Sequence, residues 1–238
     1  MLRELAAGAL YDAKTAVARY PRVAIPLQRF RGRGELLSER TDVAIEAFPR
    51  CASSFAVAAF RLAQEPRFTH IAHHTHMPAL VMEAAREGVP TMVLVRDPLP
   101  TVASFLIRSP DLRPAAVARG YLRFYEPLLP YRAGFVTATF EEVVRSFGVA
   151  IQRLNDRFGT DFSPFDHTPE HVRRIEDEIE RDYVSREGPG ARLEAVIPRP
   201  SASREASKAR VTDRVRREVS PGTMARAHAV YGMLRPHT

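Results

Sequence analysis

Residues Thr41 to Leu62 read TDVAIEAFPRCASSFAVAAFRL, and the order of parts in this stretch decides the fold. Val43-Ala44-Ile45 is a β-rich apolar run, Phe48-Pro49 stops it because proline cannot continue a ladder, and a helix of small and apolar residues follows. Between strand and helix stand Arg50, Cys51, Ala52, Ser53 and Ser54, with Phe55 just inside the helix. The first amides of a helix have no internal partner and carry partial positive charge, so a cation and two hydroxyls placed there make an oxyanion cradle. A loop that wraps a polyphosphate needs glycines and a closing Lys-Ser/Thr; this one has neither, which disfavours ATP and GTP.

Working outward, Phe68 to Pro78 reads as a short strand running into a histidine-rich loop, and a helix from about Ala79 to Glu87 ends at Gly88. Thr91-Met92-Val93-Leu94-Val95 is a continuous apolar run, as expected of a parallel strand covered on both faces, and Arg96-Asp97-Pro98 ends it. Helices are expected over 101–107 and 112–129, a strand over 135–140, and a helix whose stripe of Val143, Phe147, Ile151, Leu154 and Phe158 faces the core. A charged helix from Thr168 to about Tyr183 and two C-terminal helices near 206–219 and 221–234 complete the chain. Residues 1–40 read as an irregular, partly helical extension with a loop from Tyr20 to Gly34, and 185–207 as a flexible loop over the site. Strands alternating with helices predict a single α/β domain over 1–238, a three-layer α/β/α fold with a mostly parallel central sheet whose ligands gather beyond the strands' carboxyl ends.

Composition narrows the classes of function. At 238 residues, 45% of them hydrophobic, the chain is long enough for one substantial core. One cysteine excludes an intramolecular disulfide framework, and with no long apolar segment the expectation is a cytoplasmic protein without a membrane span. The net charge of +7 is carried by arginines spread along the chain without aromatic interleaving, a mixed-charge surface and no nucleic-acid partner. His70, His73, His74 and His76 crowd seven positions, yet no carboxylate or cysteine accompanies them at ligand spacing, so no metal is expected.

Phe48-Pro49-Arg50-Cys51-Ala52-Ser53-Ser54-Phe55 resembles the aromatic-Pro-Lys/Arg-Ser-Gly-Thr/Ser-Thr/Ser-aromatic loop of sulfotransferases that use 3′-phosphoadenosine 5′-phosphosulfate (PAPS), whose fold is P-loop NTPase-like. Val93-Leu94-Val95-Arg96-Asp97-Pro98, continuing to Ser104, is similar to that family's strand, Arg-Asn/Asp-Pro turn and helix, and His74-Thr75-His76-Met77-Pro78 resembles its Lys-Thr-His-Leu-Pro segment. The likeness spans, with gaps, residues 42–158 and touches 198–208.

The resemblance implies transfer of a sulfuryl group from PAPS, with PAP as product and no metal, to a hydroxyl or amine of a small-molecule or carbohydrate acceptor. It places Arg50, Cys51, Ala52, Ser53, Ser54 and Phe55 around the 5′-phosphosulfate, with Arg50 at the bond that breaks, and Arg96 and Ser104 on the 3′-phosphate. It makes His76 the base, a role that passes to His74 if the register moves by two residues. Arg204 and Lys208 stand where the family closes a basic loop over the nucleotide, although its Arg-Lys-Gly-x-x-Gly pattern is absent. Arg50 for lysine, Ala52 for glycine and the want of tryptophan at Phe55 depart from the family's pattern. Two further readings fit the same loops, a P-loop-like nucleotide-binding protein such as a small kinase, and a donor-binding protein without turnover. No feature sets the oligomeric state, and a homodimer is compatible with it.

Overall fold

The computed structural model describes residues 2–32, 34–187 and 202–236, with side chains over 6–32, 34–185 and 208–236. Four strands, β1 (Val43–Ala47), β2 (Ile71–His73), β3 (Thr91–Val95) and β4 (Val136–Thr139), form one sheet in the order β2-β1-β3-β4, every pair parallel. β1 and β3 are buried along their whole length, as their apolar runs require for central strands covered on both faces. The expected α/β fold, helices around a parallel sheet, is what the chain forms.

Each crossover supplies a helix. After β1 comes α3 (Ser53–Gln64), after β2 comes α4 (Pro78–Glu87), and after β3 come α5 (Pro98–Arg108) and α6 (Pro114–Tyr125). Right-handed crossovers in this strand order put α3 on one face and α4 and α5 on the other. Beyond β4, α7 (Phe140–Arg145), α8 (Phe147–Phe158) and α9 (Pro169–Glu187) follow, α8 packing on β4 and α9 on α3. The last two helices, here α10 (Ala202–Glu218) and α11 (Pro221–Leu234), pack on α5 and α6. Among the described residues no helix is long and apolar enough to cross a membrane.

The one helix expected to carry Val143 through Phe158 is broken at Ser146 into α7 and α8, and three further boundaries differ from the sequence reading through proline. Helix α5 starts at Pro98 rather than Thr101, because proline suits the first helical position and the Asp97 side chain caps it by accepting from Leu99 N at 2.9 Å. The single helix expected over 112–129 is α6 followed by a 3₁₀ segment from Glu126 to Gly134, since Pro127 and Pro130 offer no N–H to an α ladder. The loop expected over 20–34 contains α2 (Pro21–Arg31), which packs against α4 behind α1 (Leu2–Val17); Pro21 is at its first position and Gly32, left-handed at φ 60°, ends it. Of the loop expected over 185–207, residues 188–201 lie outside the described residues and helices cover both ends.

Two contacts fix the N-terminal segment beside the sheet. Glu35 pairs with His73 in an antiparallel bridge on the β2 edge, and a Cβ at Gly34 would stand 2.7 Å from the His74 carbonyl oxygen, so only glycine fits. Asp12 on α1 binds Arg119 and Arg123 of α6, each at 2.6 Å, and anchors α1 there.

Candidate active site

A sheet ordered 2-1-3-4 reverses its winding between β1 and β3, and ligands of such folds bind beyond the carboxyl ends of the strands at that point. Both anion elements sit there. The loop after β1 passes through Arg50 at φ 76° and Ala52 at φ 65° before α3 begins, and no side chain caps the helix, so its first amides face the loop. Tyr125 braces the floor: its hydroxyl meets Phe48 N at 3.4 Å and donates to the Leu94 carbonyl of β3 at 2.7 Å.

Residues assigned from the sequence to two separate phosphates bond to one another. Arg50 Nε donates to Ser104 Oγ at 3.0 Å, and Arg96 Nη1 donates to the Arg50 carbonyl at 2.9 Å while its guanidinium lies 3.8 Å from the Phe140 ring centroid. The two arginines and Ser104 therefore form one cationic wall spanning both strand ends. Ser53 is buried at the head of α3, and Ser54 Oγ contacts His74 Nε2 at 3.3 Å. Phe55, in the first turn of the helix, packs edge-on against Phe165.

Three assignments take a different form in the structure. The Cys51 side chain is fully buried against the Tyr125 hydroxyl, and burial pushes its thiol up to about 11, so only its backbone lines the cradle. Lys208 lies on α10, which packs along α5, the helix carrying Ser104. Arg204 is on the same helix, with its side chain outside the described residues.

The histidine loop follows β2, beside β1. His76 Nδ1 lies 2.8 Å from the Ala47 carbonyl oxygen, which only accepts, so Nδ1 carries the proton and Nε2 is the ring's acceptor. Burial holds its pKa below the ordinary 6.5, against the opposing pull of that carbonyl, and the ring is neutral at neutral pH. His74 is placed differently, with Nε2 on Ser54 and Nδ1 against His73 Nδ1, and His73 Nε2 in turn meets Arg61. The His73 and His74 rings thus meet each other while His76 turns to Ala47, and among the described residues no three His, Cys, Asp or Glu groups converge as metal ligands.

Sequence reasoning missed Glu46, at the penultimate position of β1. Only 1% exposed, its carboxylate accepts from Thr75 N (2.7 Å) and Thr75 Oγ1 (2.8 Å) through Oε1, and from His76 N (3.1 Å) and Ala47 N (3.3 Å) through Oε2. Burial outweighs these four donors and pushes the carboxyl up to about 7. The signal was present as one charge inside an apolar strand. His74 and His76 are both left-handed, at φ 58° and 52°, and Glu46 grips the backbone of the residue between them. Arg50, Ala52, His74 and His76 are the four non-glycine residues with positive φ among the described residues, and all lie in these two loops. Strain of this kind costs about 1–3 kcal/mol per residue and persists where surrounding structure enforces it, most often at functional sites.

His76 also lines a cavity of about 280 Å³ between α1, α2, α5 and α6. Its wall is mostly apolar, with Phe48, Phe105, Phe124 and Met77, and it includes Tyr11, whose buried hydroxyl has no partner among the described residues. A buried hydroxyl left unpaired costs about 1–3 kcal/mol. The polar side chains of Lys14, Thr15, Gln28, Arg31 and Arg123 also reach this wall, and the Tyr11 hydroxyl packs against Gly120 of α6.

No family model matches the chain, and no curated protein matches it. Among solved structures the chain is similar to mouse sulfotransferase SULT7A1 complexed with PAP, with a TM-score of 0.41 and 12% sequence identity, over 82% of this chain and 90% of that one.

Proposed function

We propose that the chain is a PAPS-dependent sulfotransferase whose acceptor is a hydroxyl on an apolar body. The observation that carries this reading is the placement of His76. A neutral imidazole, its proton fixed on Nδ1 by Ala47, lines an apolar cavity on one side of β1's end, and the Arg50–Ser104–Arg96 wall stands at the same strand end. That is a base beside an acceptor pocket and a cationic cradle beside a donor pocket.

The cradle fits the donor's chemistry on two grounds. The head of α3 is uncapped, leaving amides for an oxyanion, and two partly buried guanidinium groups favour a ligand with more than one anionic group. In this assignment Arg50, Ser53, Ser54 and the α3 amides hold the 5′-phosphosulfate, and Arg96 with Ser104 holds the 3′-phosphate. The bound donor supplies an activated sulfuryl group on its 5′-phosphate. His76 Nε2 takes the acceptor's proton, and Arg50 with the α3 amides stabilises charge gathering on the phosphate side. The mostly apolar side chains of this wall, Phe48, Phe105, Phe124 and Met77 among them, favour an acceptor with an apolar body.

Thermal unfolding with adenosine 3′,5′-bisphosphate, ATP and GTP tests the donor half. The bisphosphate alone is expected to stabilise the chain, by about 2.7 kcal/mol at a hundredfold excess over Kd. Preference for a triphosphate, or no response to any of the three, overturns the reading.

A further inference from the structure

Helix α2 carries an apolar stripe that the fold leaves in solvent. Val23, Leu27 and Phe30 are 54%, 39% and 91% exposed, and at 100° per residue they share an arc of about 60°. Ala24 and Gln28, on the other side, are buried where α2 meets α4. Arginines border the stripe, Arg22 and Arg29 along one flank and Arg31 along the other, with Arg19 just before the helix; no Asp or Glu occurs from residue 18 to 34. Leu10 of α1, 73% exposed, adds to the patch, and both Leu10 and Leu27 also line the apolar cavity, so patch and cavity are continuous.

We propose that α2 and the adjoining part of α1 form an interfacial docking surface for an anionic lipid bilayer, with Val23, Leu27 and Phe30 entering the headgroup boundary and the arginines meeting lipid phosphates. An apolar strip flanked by arginine is the composition that binds such surfaces. A second copy of the chain is the poorer occupant, because a twofold contact would set Arg19, Arg22, Arg29 and Arg31 against their own copies, with Glu83 of α4 as the one acid that interacts with Arg29 among the described residues. The continuity with the cavity gives a lipid-dissolved molecule a route into the fold that does not cross water. The binding itself does not depend on the sulfotransferase reading, and its test uses no turnover.

The chain has no tryptophan, so Phe30→Trp of the full-length protein provides a single reporter. Its emission is expected to shift to the blue, and the protein to sediment, with vesicles of phosphatidylcholine containing phosphatidylglycerol but not with phosphatidylcholine alone, and added salt should release it. Arg22→Gln and Arg29→Gln should each weaken vesicle binding about fivefold, and Phe30→Ser about tenfold. All three residues are exposed, so unfolding temperatures should not move. Equal binding to both vesicle types, binding unchanged in Phe30→Ser, or a shift that appears without lipid and tracks a doubling of mass overturns the proposal.

Discussion

Replacing Glu46 by glutamine removes the one ionisable side chain of β1, which binds the backbone of the histidine loop. The folded chain holds the Glu46 proton more tightly than the unfolded chain does, because its pKa is raised from the ordinary 4.5 to about 7. For a carboxyl shifted upward, the stability contribution is fully present below pH 4.5 and is lost as pH rises through about 7. At 1.36 kcal/mol per pH unit, the interval from 4.5 to about 7 amounts to about 3 kcal/mol. Glutamine stays neutral throughout and carries no such slope. Its amide also turns N–H groups toward the amides of His76 and Ala47, each left unpaired at about 1–3 kcal/mol. In acid the protonated Glu46 also turns one O–H toward these donors, so the amide's added cost there is its second N–H, and the variant's stability relative to the wild-type protein improves as pH rises.

The assay is urea unfolding of both proteins at a series of pH values, read as the difference between them so that every other titrating group cancels. That difference should fall by about 3 kcal/mol between pH 4.5 and a point above pH 7, with the m-value unchanged. A difference that stays constant, or that grows with pH, would refute the buried carboxylate and with it the way His76 is held.

His76→Ala should lower sulfation by about 10²- to 10⁴-fold while leaving the Kd for adenosine 3′,5′-bisphosphate nearly unchanged, checked by single-turnover rates beside calorimetry; a retained rate moves the base to another group. Because burial holds the His76 pKa below 6.5, the acid limb of the rate profile in the wild-type protein should fall at lower pH than for an ordinary histidine, and a limb above 6.5 contradicts the neutral ring. Ala52→Gly should stabilise the chain by about 0.5–1 kcal/mol, seen as a rise of a few degrees in unfolding temperature, because Ala52 sits at φ 65° where an L side chain is strained. A fall in that temperature would show that the Ala52 methyl contributes more packing than its backbone loses.

What was legible in the sequence was local. The strand, anion loop and helix from Val43 to Gln64, and the strand and turn from Thr91 to Asp97, announce themselves through apolar runs cut by proline, with no need of distant partners. Helix α2 was illegible because PRVAIPLQRFR has the prolines and arginines of a loop; burial of Ala24 and Gln28 against α4, and the left-handed stop at Gly32, make it a helix. Arg50 and Ser104 stand 54 positions apart, and only the adjacency of β1 and β3 lets them bond. The cavity is less legible still, since its wall draws on α1, α2, α5 and α6, none of which carries a motif for it.

The site's working geometry rests on consecutive residues of one strand. Glu46 takes the backbone N–H of His76 through its side chain, Ala47 takes the ring Nδ1–H of the same histidine through its carbonyl, and three positions later Arg50 opens the anion cradle. His76, the base in the proposed mechanism, is thus fixed at both backbone and ring by the segment that presents Arg50, so the two residues cannot shift independently. A transfer step needs its reacting groups placed within a fraction of an ångström, and a separate loop for each would have to be ordered by the ligands themselves. Here the hydrogen bonds of β1 meet that cost during folding. The left-handed strain of His74, His76, Arg50 and Ala52 is what the backbone bears in return, and Glu46, buried and able to accept all four donors only when ionised, couples this arrangement to pH near neutrality.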